Sequence, residues 1–352
     1  MSSVGKYIDL LVQLLAIPAV SRNEDTRAAF LLKWMTREGF TVKRIHNNLL
    51  VTRNTDPARA GIMLNAHMDT VAPAAGWSSD PWLPVRSGGK ITGLGSNDDG
   101  ASLVALAAAF DALAGEGKTD DIVLVLSAEE EVSGVNGLGA VLPELPGLRF
   151  AIVGEPTGMQ PAVAERGLMV IDAAASGKAG HAARNEGVNA IYRAVDDIAK
   201  IRAMKFPDHS EWLDDPSVSV TMINAGTAHN VVPAECTVVI DVRSNDRYSN
   251  EKLLEMLGDR CGATLSPRSM RLRSSFLEAL HPVFPLLEQM NFKPYGSPTL
   301  SDMALLNIPA IKIGPGESSR SHSADEYVLE DEIGGAIDIY QQLIGNLLKL
   351  EL

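Results

Sequence analysis

Apolar residues follow two patterns along the first half of the chain. Ile8, Leu11, Leu14 and Leu15 recur three and four apart, so residues 4–16 read as an amphipathic helix. A second helix is predicted over about residues 26–38, stopped by Gly39. Short continuous apolar runs near residues 42–45, 49–53, 62–65, 122–127 and 150–154 read as strands, most of them buried on both faces. Between them, residues 101–113 carry Ala and Leu with little charge and predict a buried helix ending at Gly115 and Gly117. Strand and helix alternate, which predicts an α/β domain around a mostly parallel sheet flanked by helices.

The pattern changes after about Arg166. A strand over 168–173 leads into the turn Ser176-Gly177-Lys178-Ala179-Gly180, and a long helix covers roughly 187–204. Strands at 218–223 and 236–242, a helix at 250–257 and a last strand near 269–273 complete a β-α-β-β-α-β order. That is the order of a ferredoxin-like α+β unit. Alternation resumes after about Phe276, and residues 331–350 read as a terminal amphipathic helix. The predicted organisation is therefore a first domain built from 1–166 and 275–352, interrupted by an inserted domain over 167–274.

A chain of 352 residues exceeds the size at which one core stops growing, in keeping with two domains. No apolar stretch approaches the roughly 18 residues that would suggest a membrane span. The N-terminal segment Met1-Ser2-Ser3-Val4-Gly5-Lys6 lacks the basic and apolar regions of a secretory leader. The formal net charge of −13 argues against nucleic acid or an anionic membrane as partner. Two cysteines, Cys236 and Cys261, make no disulfide framework and suit a reducing cytoplasm.

The chemistry lies at the strand ends. In open α/β sheets, ligands collect outside the carboxyl ends of the strands. The predicted strand at 62–65 leads into His67-Met68-Asp69, that at 122–127 into Glu129-Glu130-Glu131, and that at 150–154 into Glu155-Pro156. The run Ile311-Lys312-Ile313 leads through Gly314-Pro315-Gly316 to Ser321-His322-Ser323. Asp69 stands two residues from His67, on the same side of an extended segment, where it could fix the imidazole tautomer. Three adjacent carboxylates at 129–131 repel one another unless cations are present; one could hold a metal while a neighbour serves as general base. The Gly93–Gly100 stretch fails as a dinucleotide fingerprint because Asp98 occupies the third glycine position, where it would repel a pyrophosphate. It reads instead as a turn presenting Asp98, whose two oxygens could bridge two metals, with Asp99 placed to cap the following helix. Mixed nitrogen and oxygen donors suit zinc, with cobalt or manganese as substitutes.

This ordered set, with Gly154-Glu155-Pro156-Thr157, resembles the dinuclear zinc peptidase/deacylase family of acetylornithine deacetylase, succinyl-diaminopimelate desuccinylase, aminoacylase and carboxypeptidase G. The likeness covers essentially the whole chain. The resemblance implies that His67 and Glu155 hold one Zn2+, Glu131 and His322 the other, and that Asp98 bridges them. It implies Glu130 as general base activating a zinc-bridging water, and Asp69 as the residue orienting His67. The inserted segment is similar to the family's lid and dimerisation domain. There His181 matches a residue that reaches the partner subunit's site, and Asn230 one that contacts substrate. Arg166 and Arg243 fall where relatives keep arginines for substrate carboxylates. One departure is Asp98-Asp99-Gly100-Ala101, which lacks the lysine many relatives carry.

The segments at 296–302 and 314–316 are similar to acetylornithine-deacetylase-like members. The implied substrate is a small Nα-acyl amino acid, most specifically N-acetyl- or N-succinyl-ornithine or -citrulline, as in arginine biosynthesis. Arg320, two residues before His322, is a further candidate for reading the far end of an acyl chain. The implied protein is a cytoplasmic homodimer joined through the lid. A dipeptidase or carboxypeptidase on the same scaffold is the nearest alternative, and a metal-free binding paralogue a remote one.

Overall fold

The computed structural model describes residues 3–53 and 56–351. Met1 and Ser2, from the N-terminal segment read above for a leader, lie outside the described residues, as do Asn54, Thr55 and Leu352. The chain divides into two compact units, one of Met1–Val163, Leu277–Tyr295 and Ser301–Leu352, the other of Ala164–Phe276 and Gly296–Leu300.

The first unit is built on a sheet whose strands run, side by side, Thr41–Ile45, Asn48–Thr52, Ile122–Ser127, Ile62–His67, Phe150–Val153, Ala310–Lys312 and Ala162–Glu165. The four strands from Ile122–Ser127 to Ala310–Lys312 are mutually parallel, and the flanking pairs are antiparallel. The central strands are buried at every position, which is why they read as unbroken apolar runs rather than alternating ones. Helix Ala101–Gly115 is nearly all buried and packs against the terminal helix Glu330–Leu347. Small alanine side chains let the two axes approach, and Phe110, also fully buried, stacks on Phe40 at 5.4 Å between ring centroids.

A small antiparallel sheet joins Val85–Ser87, Lys90–Thr92 and Tyr327–Leu329. Nothing in the hydrophobic pattern announced these three-residue strands, because each is too short to show a period.

The second unit has the predicted β-α-β-β-α-β order, with Met169–Ser176, Ala190–Arg202, Ser217–Ala225, Glu235–Arg243, Asn250–Gly258 and Thr264–Pro267 as its elements. Its four strands lie in the order Ser217–Ala225, Glu235–Arg243, Met169–Ser176, Thr264–Pro267, and all pairs are antiparallel. Ile171, Ala173, Val238 and Ile240 alternate inward against Ala190, Ala194 and Leu253 of the helices.

Two expectations need correction. The last strand is Thr264–Pro267, not 269–273: Leu265 rather than Met270 takes the inward register opposite Ala173, and Pro267 stands opposite Ile171 at the strand's end. The long helix begins at Ala190 rather than 187, because Val188 is engaged in a bridge with Lys178 and the Asn189 side chain accepts the Ile191 N–H at 2.9 Å as a cap.

Candidate metal centre

Parallel pairing brings the strand ends together. Ile62–His67 sits between Ile122–Ser127 and Phe150–Val153, with His67 opposite Ser127 and Asn65 opposite Val153. Ala310–Lys312 lies beyond, with Lys312 opposite Val153. The loops that follow therefore leave the sheet from four adjacent strand ends, carrying His67, Glu130 with Glu131, Glu155 and His322.

His67 is almost fully buried. Its Nε2 lies 3.0 Å from Asp98 Oδ1, and its Nδ1 lies 3.1 Å from the Asp69 carbonyl and 3.5 Å from the Asp69 carboxylate. His322 Nε2 lies 2.9 and 3.1 Å from the two Glu131 oxygens and 3.6 Å from Asp98 Oδ2. The Asp98 carboxylate thus stands between two imidazoles, one oxygen toward each. Donor atoms of His67, Asp98 and Glu131 fall within 4.8 Å of one another, and so do those of His67, Glu130 and Glu155. The two trios share His67.

Asp69 does more than face His67. It accepts the Ser21 hydroxyl at 2.7 Å and the backbone N–H groups of Glu130 and Glu131 at 3.1 and 3.2 Å. One buried carboxylate therefore holds both the imidazole and the turn that presents the two glutamates. That turn starts with Glu129 in the left-handed region, φ +55°. Behind it, the buried Arg27 guanidinium donates to the Met68 carbonyl at 2.7 Å and to the Ile17 carbonyl, fixing the segment between His67 and Asp69.

The electrostatics are those of acids crowded against two imidazoles. Burial opposes a charged His67, but hydrogen bonds to Asp69 and Asp98 outweigh it and hold the imidazolium well above its ordinary range. The bond to Glu131 raises His322 to about 9. Burial, then repulsion from neighbouring carboxylates, pushes Glu130 and Glu155 well above the usual range, partly countered at Glu130 by His67. Asp98 goes the other way: burial would raise it, but the hydrogen bond and charge of His67 hold it low. Donors of this kind, two imidazoles and four carboxylates converging, fit a divalent cation, which would balance their charge. Because metal ligands must be deprotonated, Zn2+ binding at pH 7 is expected to release protons, and its affinity to rise with pH toward about 9, where His322 loses its proton unaided. Calorimetry in buffers of different ionisation enthalpy measures this; uptake of protons, or none, would contradict it.

Several neighbours carried no role in the sequence reading. Glu326 is buried and accepts backbone N–H groups of the Asp98 loop. Asn97 ties that loop to Glu317 and Ser321. Asp302 accepts the Ser127 hydroxyl at 2.6 Å, and burial raises its carboxyl to about 6. Each stands near a recognised motif, but only its position in space distinguishes it. Asp99, expected to cap helix 101–113, does not: the cap position is Gly100, and burial raises the Asp99 acid to about 8.

Arg320, in the same unit, forks onto both oxygens of Glu332 at 2.8 and 3.0 Å and lies 4.6 Å from the Tyr327 ring centroid. The remaining candidates belong to the second unit. Arg166 donates to the Asp215 carbonyl at 3.1 Å and lies 3.4 Å from the Asp214 carboxylate. Arg243 is held by Asp241 through two bonds of 2.8 and 3.2 Å. His181 and Asn230 are exposed and meet across a two-stranded ribbon, where His181 pairs with Val231 and the Asn230 carbonyl accepts the Ala182 N–H at 3.1 Å.

A parallel sheet with imidazoles and carboxylates gathered at its carboxyl edge, in a chain that also carries a ferredoxin-like unit, is the architecture of a metal-dependent hydrolase. Residues 63–346 match the profile of peptidase family M20/M25/M40, and the chain belongs to that family. It is 27% identical over 377 aligned positions to succinyl-diaminopimelate desuccinylase of Xylella fastidiosa (strain 9a5c), covering 98% of this chain and 99% of the relative. It is 26% identical to acetylornithine deacetylase of Proteus mirabilis (strain HI4320), covering 98% and 97%. Among solved structures, a tripeptidase from Staphylococcus aureus superposes with a TM-score of 0.75 at 21% identity, covering 99% of both chains. The chain is thus an M20 amide hydrolase with a site able to hold metal.

Proposed function

We propose that the chain hydrolyses the amide of an Nα-acyl amino acid, with N-acetyl- or N-succinyl-ornithine or -citrulline as its substrates, in arginine biosynthesis. The observation that carries this reading is Asp98 placed between His67 and His322 with Glu130, Glu131 and Glu155 around them. The desuccinylase and deacetylase names of its relatives supply the substrate class.

In this reading His67 and Glu155 would hold one Zn2+, Glu131 and His322 would hold a second, and Asp98 would contribute to both, with Co2+ or Mn2+ able to substitute. The bound ions would acidify a water and act as Lewis acids toward the acyl carbonyl. Glu130 then takes the proton from the attacking water and returns it to the leaving amine, a role suited to a carboxylate whose proton affinity burial raises above the ordinary range. Asp69 keeps the His67 ring and the Glu130 backbone in register for that transfer. Arg166, Arg243 and Asn230 are proposed to hold the substrate, and a bidentate arginine suits its carboxylate. A substrate group would have to displace Glu332 from Arg320 to be read there, so Arg320→Ala tests that residue separately: a loss confined to succinyl substrates supports the assignment, and an equal loss on acetyl substrates removes it.

We also infer a cytoplasmic homodimer formed through the second unit. Strand Ser217–Ala225 is a sheet edge with Met222 and Ile223 half exposed, and Tyr192 and Val195 are exposed on helix Ala190–Arg202. His181 is proposed to act in the partner copy; a fully active monomer in sedimentation would remove that role. No helix among the described residues is long and apolar enough to cross a membrane.

The test is deacylation of Nα-acetyl- and Nα-succinyl-ornithine and -citrulline, with Zn2+ or Co2+ supplied and then chelated. Chelator-sensitive turnover on any of the four is expected. Turnover on dipeptides alone would keep the hydrolase and replace the substrate class.

A further inference from the structure

We propose that Glu326 is a positioning residue that sets Asp98 between the two histidines, by gathering the backbone of the Asp98 loop onto one buried carboxylate. The inference rests on the metal-centre reading above and adds to it the part that holds its central ligand in place.

The loop from Gly95 to Asp98 cannot hold itself. Gly95 has φ +80°, and Asp98 has φ −119° and ψ 97°, so no regular ladder serves these N–H groups. Buried N–H groups need acceptors. Glu326 Oε2 accepts from Gly95 N, and Oε1 accepts from Asn97 N and Asp98 N, each at 2.9 Å. The side chain that does this is only 2% exposed. Three amides converging on one carboxyl group at 2.9 Å make short, directional bonds.

The carboxylate is itself held from behind. Glu326 immediately precedes strand Tyr327–Leu329, whose pairing of Tyr327 with Thr92 fixes it beside the start of the loop, and the Glu326 carbonyl accepts the Gly93 N–H at 3.0 Å. Its backbone therefore has little freedom to follow the loop if the side chain is shortened. A second strap lies in parallel: Asn97 accepts the Glu317 N–H and donates to the Glu317 carbonyl and Ser321 Oγ, all at 3.1 Å. Both straps tie the loop to the segment that carries His322, four residues before Glu326. Asp98 and His322 lie 224 residues apart in sequence and their side chains approach to 3.6 Å, while the two straps tie their segments together without using either side chain.

Glutamine keeps the shape of Glu326 but replaces one acceptor oxygen with a donor that faces an N–H. Purified full-length protein, stripped of metal, is titrated with Co2+ alone, following its visible absorption. Wild type is expected to bind two Co2+ ions. Glu326→Gln is expected to fold, to bind at least one of them about 10–100-fold more weakly, and to show an altered Co2+ spectrum. With substrate, kcat should fall while KM changes little, because the loop positions the centre and not the substrate. If Glu326→Gln is insoluble, Glu326→Asp, one methylene shorter, is read in the same way. A lowered melting temperature with an unchanged Co2+ titration and spectrum would overturn the proposal and leave Glu326 merely structural. Failure of the wild type to bind Co2+ would instead overturn the metal-centre reading on which it rests.

Discussion

Glu130→Ala is expected to lower kcat/KM by roughly 10²–10⁴-fold, about 3–5 kcal/mol in transition-state stabilisation, while the metal content per chain stays at its wild-type value. Glu130 lies one residue from Glu131, and Asp69 holds the backbone N–H of both, so the loss of the Glu130 carboxylate leaves the path of the turn unchanged. On the proposed reading, what disappears is the acceptor for the proton of the attacking water. The alternative is specific, since Glu130 also belongs to a trio with His67 and Glu155 whose donor atoms lie within 4.8 Å of one another. If metal analysis of the variant shows one ion missing, Glu130 is a ligand and the base must be sought elsewhere. Unchanged kcat/KM would remove it from the chemistry altogether. Glu130→Gln, of the same shape, separates the two cases again: an amide oxygen can still ligate weakly but cannot take the proton.

Removal of metal is expected to abolish turnover completely and to return it when Zn2+, Co2+ or Mn2+ is added back. It should also lower thermal stability. At a free metal concentration of about 100 times Kd, binding contributes roughly 2.7 kcal/mol per site to the folded state. The stripped centre is not simply an empty frame. Burial and neighbouring carboxylates push Glu130 and Glu155 upward, and hydrogen bonds to Asp69, Asp98 and Glu131 push His67 and His322 upward, so all four groups favour their protonated forms more than they would in water. Cations and protons compete for the same groups, so chelation should be easiest at low pH and hardest above about 9. Activity that survives exhaustive chelation, with metal content verified as zero, would end the metallohydrolase reading.

Much of this protein was legible before its structure. Strands buried on both faces announce themselves as apolar runs, and Ile122–Ser127 was bounded to the residue because five apolar residues and one serine precede an acidic turn. The β-α-β-β-α-β order of the second unit was legible for the same reason: its strands alternate and its helices carry one apolar face. The residues offered as ligands could be picked out because chemistry limits the choice, as few residue types hold a cation and fewer stand directly after a strand. Errors came at ends. The strand placed at 269–273 actually lies at Thr264–Pro267, since two short stretches had similar alternation and only the partner Met169–Ser176 chose between them.

By itself, then, the sequence determined which segments fold, which of them are buried, and which side chains could meet a metal, since periodicity and side-chain chemistry are local properties. Only the tertiary structure decided what holds those side chains. Asp69 reaching from His67 to the amides of Glu130 and Glu131, Arg27 behind Met68, and Glu326 beneath Gly95, Asn97 and Asp98 all join segments tens to hundreds of residues apart. A carboxylate looks the same in sequence whether it faces solvent, an amide or an ion. Its role depends on which distant backbone groups the closed chain brings against it, and that depends on the register of strands as short as Tyr327–Leu329.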